Sequence, residues 1–129
     1  MQTIVIDSDI IVDHLRGYNS TLKDIFELVR QGKAKALLPS VVNTEIYSGQ
    51  ETKAEKRLEI IKRLLSKLEF IENTKEISIL AGFLLRDYRN LKLGDATIAA
   101  TALSLNAKLA TRNRKDFIEI KDLKFFKLI

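Results

Sequence analysis

Thr3-Ile4-Val5-Ile6-Asp7-Ser8-Asp9 is the stretch on which the reading of this chain turns. Its apolar, β-branched start suits a short buried strand, the kind a parallel sheet needs. Asp7 stands where that strand must end, and strand ends are where α/β folds collect their chemistry. Past Asp7 the period changes: Ile10, Ile11, Val12 and Leu15 recur at helical spacing until Gly17 breaks the pattern.

The same alternation continues outward. Leu22, Ile25, Phe26 and Val29 follow the spacing of a core-facing helix that stops near Gly32. Lys35 to Leu38 reads as a second strand, and Ser40 as the N-cap of a helix that carries Glu45 and closes at Gly49. Glu51 to Leu68 predicts one long helix with Leu58, Ile61, Leu65 and Leu68 as its apolar stripe. Phe70-Ile71 predicts a strand, and Ile77, Leu80, Ala81, Leu84 and Tyr88 another helix. Asp95 to Leu105 predicts a helix rich in Ala and Thr, small enough to lie close against a sheet. Lys108 to Thr111 and Lys124 to Leu128 complete the strands. Strands alternating with helices imply a parallel sheet covered on both faces. With no linker, repeat or low-complexity segment, residues 1–129 read as one domain.

Composition narrows the chemistry. Cysteine is absent, which excludes disulfides, thiolate zinc sites and a cysteine nucleophile. A single histidine, His14, argues against imidazole ligation and a serine triad, and reads as a packing or surface residue. Any metal must take oxygen ligands, which favour magnesium or manganese. The charge of +5, from 22 Lys+Arg against 17 Asp+Glu, suits a polyanionic partner. No basic start precedes a long apolar run, and no stretch is apolar enough to span a membrane, so the expected location is the cytoplasm.

Four acids stand at strand ends or helix starts: Asp7, Glu45, Asp95 and Asp116. Converging carboxylates repel one another unless cations sit among them. That points to a divalent-metal site for phosphodiester cleavage, in which water is activated and the departing oxygen neutralised. Each acid alone has a plainer use. Asp7, Asp9 or Asp95 can cap the helix that follows, Glu45 can be a solvated helix acid, and Asp116 can complete a box with Asn113. The joint pattern is what carries the metal reading.

Ile4-Val5-Ile6-Asp7-Ser8-Asp9, Pro39-Ser40-Val41-Val42-Asn43-Thr44-Glu45-Ile46, Leu93-Gly94-Asp95-Ala96-Thr97-Ile98-Ala99-Ala100 and Thr111-Arg112-Asn113-Arg114-Lys115-Asp116-Phe117 resemble the successive blocks of PIN-domain proteins, in particular the VapC branch of toxins from type II toxin–antitoxin systems. The likeness runs from Met1 to about Phe117. It implies a three-layer α/β/α sandwich with a short parallel sheet and a magnesium- or manganese-dependent ribonuclease activity. It also implies a homodimer and a VapB-like antitoxin that blocks the acidic pocket. Position by position, Asp7, Glu45 and Asp95 match the core acids, and Asp116 the fourth, variable one. Some members carry Asp where this chain has Asn113, which leaves Asn113 as a water or metal contact. Thr111 matches a polar position beside the site, and Ser8 and Ser40 are further candidate hydroxyls.

RNA held beside acids needs basic neighbours. Arg112, Arg114 and Lys115 are the candidates, with Lys53, Lys56 and Arg57 extending the track; a solvated helix face is the competing use of the latter three. Tyr18 and Tyr47 can stack on bases or pack. Three other readings remain open at this point. Ile4 to Asp9 also resembles the opening of haloacid-dehalogenase-type phosphatases, although Ala99 stands where a further Asp is expected. The other two are an inactive RNA- or partner-binding module and an RNA-processing nuclease outside any toxin–antitoxin pair.

Overall fold

The computed structural model describes residues 1–18 and 21–128. β1 (Gln2–Ile6) carries Ile4, Val5 and Ile6 with no solvent exposure at all. A strand hidden on both faces must have neighbours on both edges and helices above and below. β2 (Ala34–Pro39) lies parallel on one side, with Ile4 opposite Ala36. On the other side β4 (Lys108–Ala110) places Leu109 opposite Val5. β3 (Glu69–Ile71) and β5 (Lys124–Phe125) form the edges, giving the all-parallel order β3-β2-β1-β4-β5.

Among the described residues six α-helices cover this sheet. α1 (Ser8–Leu15) and α2 (Thr21–Arg30) join β1 to β2, and α3 (Ser40–Tyr47) and α4 (Glu55–Leu65) join β2 to β3. α5 (Lys75–Asp87) and α6 (Leu93–Ser104) return the chain from β3 to β4. Right-handed crossovers change face when the direction of strand addition reverses. The return therefore runs over the opposite face from the outward path, and three layers result, as the sequence predicts. α6 packs on β1 and β4 while α2 packs on β2. The seven consecutive residues Ala96 to Ala102 are all buried, so the middle of α6 is covered on every side. Its two threonines satisfy themselves locally: Thr97 donates to the Leu93 carbonyl (2.9 Å) and Thr101 to the Thr97 carbonyl (2.7 Å).

Three local expectations need correction. The long helix expected over Glu51–Leu68 is divided into a 3₁₀ turn, Gln50–Lys53, and α4, with Ala54 extended between them. The Thr52 hydroxyl reaches back to the carbonyls of Tyr47 and Gly49 (3.1 and 2.7 Å) and ties this segment to the end of α3. Ser40 is not a cap but the first helical residue; Pro39 precedes it with its φ already fixed near the required value. The last strand is confined to Lys124–Phe125. Among the described residues, no helix is long and apolar enough to cross a membrane.

Strand order reverses at β1, and a reversal opens a crevice at the carboxyl ends of the two strands that flank it. α3 closes one wall of this crevice, because it touches both α1 and α6, on opposite layers.

Candidate active site

Asp7 follows the last residue of β1, at the reversal of strand order. Its backbone N–H donates to the Ala110 carbonyl (3.0 Å), locking the end of β1 to the end of β4. One carboxylate oxygen accepts the Ser8 backbone N–H (2.7 Å), so Asp7 does cap α1. The other accepts the Thr111 hydroxyl (2.8 Å) from across the crevice. Capping and site chemistry are therefore carried by the same side chain, only 6% exposed.

The other acids surround it. Glu45 projects from α3, Asp95 from the first turn of α6, and Asp116 from the 3₁₀ turn Arg114–Asp116. Asp95 is half-buried, and Glu45 and Asp116 are open to solvent, so burial falls from Asp7 outward. Their mutual repulsion is visible in their ionisation. Burial raises Asp7 above the ordinary carboxylate range, with the charge of Asp116 adding to it against hydrogen bonds from Thr111 and Ser8. Partial burial of its carboxyl also raises Glu45, then the charges of Asp7 and Asp95, while a hydrogen bond from the Ser8 side chain opposes. Asp95 is raised by burial, then by Asp7 and Asp116, against the opposing charge of Lys92. The sequence-predicted acids are thus brought to one place.

Among the described residues no three acidic or imidazole side chains are arranged so as to hold an ion between them as they stand. The donor set still fits a hard divalent cation. It is all oxygen, negatively charged and self-repelling, and magnesium keeps most of its waters while taking only one or two carboxylates directly.

Asp9 is more than the plain helix cap it resembles. One of its oxygens accepts the Arg112 backbone N–H (3.0 Å) and the Thr111 hydroxyl (3.3 Å). The other, Oδ1, is buried with no hydrogen-bond partner. Burial, and then the charge of Asp7, push Asp9 up to about 6. Asp13, which the sequence reading does not single out, is 6% exposed and pairs with the Arg112 guanidinium at 2.8 Å. The signal was present: Asp13 lies three residues from Ile10 on the buried side of α1, where an acid needs a partner.

The basic candidates divide. Arg112 faces Asp13, and Arg114 lies over the Phe125 ring at 4.5 Å. Lys115 instead lines a cavity of about 330 Å³ that Asp95 and Asp116 share, together with Lys92 and Asn90. Asn113 is exposed; its backbone N–H donates to Thr111 Oγ1 (3.1 Å), and its side chain makes no capping bond. On the long-helix side, Arg57 is held by Glu51 (2.9 Å) and the Leu15 carbonyl (2.8 Å). His14 packs edge-on to Phe26, and burial, with Lys67 and Lys23 nearby, lowers its pKa.

An all-parallel three-layer fold with carboxylates gathered at its strand-order reversal defines a class, and the chain belongs to it: the PIN-domain family, whose model matches residues 4–123. Within that family it is similar to the VapC proteins of Mycobacterium tuberculosis. It is 38% identical to Ribonuclease VapC10 over 94% of this chain and 90% of the relative. It is 32% identical to Ribonuclease VapC19 over 92% and 95% respectively. A chain of a toxin-antitoxin complex from Klebsiella pneumoniae superposes with a TM-score of 0.74 at 25% identity, covering 98% of this chain and 99% of that one.

Proposed function

We propose that this chain is a divalent-metal-dependent endoribonuclease, the toxin of a VapBC-type pair, with residues 1–129 as a single nuclease unit. The observation that carries the reading is the meeting of Asp7, Glu45, Asp95 and Asp116 at the reversal of strand order, each of the first three raised in pKa by burial and by its neighbours. The ribonuclease names of the relatives that span nearly the whole chain support the substrate class.

Asp7, Asp95 and Asp116 would hold magnesium or manganese, some of them through the waters the ion keeps, with Glu45 sharing in a second ion or orienting the attacking water. The bound ion would supply acidity to that water and neutralise the leaving oxygen. The protein's own contribution is placement. Thr111 and Ser8 fix the two Asp7 oxygens, so the carboxylate does not rotate. Lys92 and Lys115 stand beside Asp95 and Asp116, where they offset the acids' repulsion of phosphate. In-line attack of water leaves a 5′-phosphate and a 3′-hydroxyl. Asp9, which a phosphatase would use as its mobile acid and base, is tied instead to Arg112 and Thr111.

A second copy of the chain, a VapB-like antitoxin over the acidic pocket, and a cytoplasmic location belong to the same reading. The toxin–antitoxin complex that the fold matches supports the antitoxin. The test is cleavage of a mixed RNA with and without chelator. The wild-type protein should cut only with magnesium or manganese, and Asp7→Asn should not cut. Asn still caps α1 but removes a repelling charge, so the metal-free variant should melt at a higher temperature than the wild type. Undiminished cleavage by Asp7→Asn removes the assignment.

A further inference from the structure

The segment from Thr111 to Phe117 carries Asp116 on an exposed 3₁₀ turn, where nothing about helix or strand would hold it still. Its hydrogen bonds and contacts, however, hold it from two sides. Toward α1, the Arg112 backbone N–H enters Asp9 and the Arg112 guanidinium meets buried Asp13. Toward β5, the Arg114 guanidinium covers Phe125. The ends are anchored as well, by Thr111 and Phe117, each 1% exposed.

We propose that Arg112 is a positioning residue: paired with Asp13 and Asp9, it straps this segment onto α1 and so sets where Asp116 stands toward the metal. The inference rests on the reading of Asp116 as a metal ligand. A buried acid such as Asp13 is costly without a partner, and pairing it with an arginine four residues ahead of Asp116 gives that charge a use.

The proposal makes a prediction opposite in sign to simple electrostatics. Removing a cation close to an acidic pocket should tighten cation binding. Loss of the strap should weaken it, because Asp116 is then no longer presented. Mn²⁺ affinity of the full chain, read as free ion by electron paramagnetic resonance, separates the two without any cleavage assay. Asp116→Asn should weaken Mn²⁺ binding. Arg112→Ala should weaken it about tenfold, the scale on which groups that orient metal ligands act. Arg112→Lys, which keeps a cation toward Asp13, should recover part of the loss. Combining Arg112→Ala with Asp116→Asn should add nothing to Asp116→Asn alone. Unchanged or tighter binding in Arg112→Ala, or fully multiplicative losses in the double variant, would overturn the strap while leaving the nuclease reading in place. If Asp116→Asn binds Mn²⁺ as the wild type does, both the strap and Asp116 as a ligand are wrong. Should Arg112→Ala fail to fold, Asp13→Asn and Arg112→Lys put the same question in the same cycle.

Discussion

Asp9 is pushed up to about 6, by burial first and the charge of Asp7 second. An acid whose folded pKa exceeds its unfolded value binds protons more tightly in the native state. Its contribution to stability is therefore fully present below the unfolded pKa and lost as pH climbs through the folded one. For Asp9 the window opens near its ordinary 3.8 and closes above about 6. Metal-free wild type should lose melting temperature relative to Asp9→Asn as pH rises from about 4 to 7, a difference that paired thermal melts measure directly. A gap independent of pH would mean that Asp9 is not held protonated by the fold. Thr111 is the complementary case. It is 1% exposed, its hydroxyl donates to Asp7, and the same oxygen accepts the Asn113 N–H. Thr111→Val leaves a buried carboxylate oxygen short of a donor, at a cost of about 1–3 kcal/mol, which urea titration should register and Thr111→Ser should largely restore. Asp7 is legible in the sequence because it ends a recognisable apolar run, and Thr111 through the resemblance of its block to the family's. Asp13 is marked only by its place on the buried side of α1, and Arg112, which pairs with it, comes from a distant loop.

At the level of elements, legibility followed burial. β1 was read nearly to its limits because Ile4, Val5 and Ile6 have no solvent face to blur the pattern. β5 was overestimated because Phe126 and Leu128 extend the apolar run past the last paired residues. The division of the Glu51–Leu68 segment was invisible because it depends on one hydroxyl, that of Thr52, finding two carbonyls at the end of α3. α6 was recognised from its small residues, and its tightness is open to direct test. Ala99 is fully buried in this helix. Ala99→Leu keeps a strong helix former but adds volume where none is free, so it should destabilise by about 1–3 kcal/mol in chemical denaturation with helicity retained. No loss of stability would show that α6 stands off the sheet.

For the whole molecule, charge is divided unevenly in space. The net charge is +5, yet the crevice itself collects acids. A polyanion must therefore be drawn by surfaces outside the acids, with Lys92 and Lys115 at the boundary. Binding of a short RNA by Asp7→Asn in the absence of divalent ions should weaken steeply with added salt, in proportion to the phosphates neutralised. A flat salt response, measured by fluorescence anisotropy, would place the affinity in base contacts instead. The distribution was only half readable beforehand. Lys115 could be named from its nearness to Asp116, whereas Lys92 joins it only through the placement of α6 beside the turn.

The order in which strands fill the sheet has a consequence during translation. β1 emerges from the ribosome first, yet one of its edges stays bare until β4 arrives from beyond residue 107. The Ala110 carbonyl and the Thr111 hydroxyl that fasten Asp7, and the turn that bears Asp116, come from that late segment. A nascent chain stopped short of it has two of its four acids without their supports, or missing altogether. The acidic site of a chain built this way is completed only when that late segment joins the sheet.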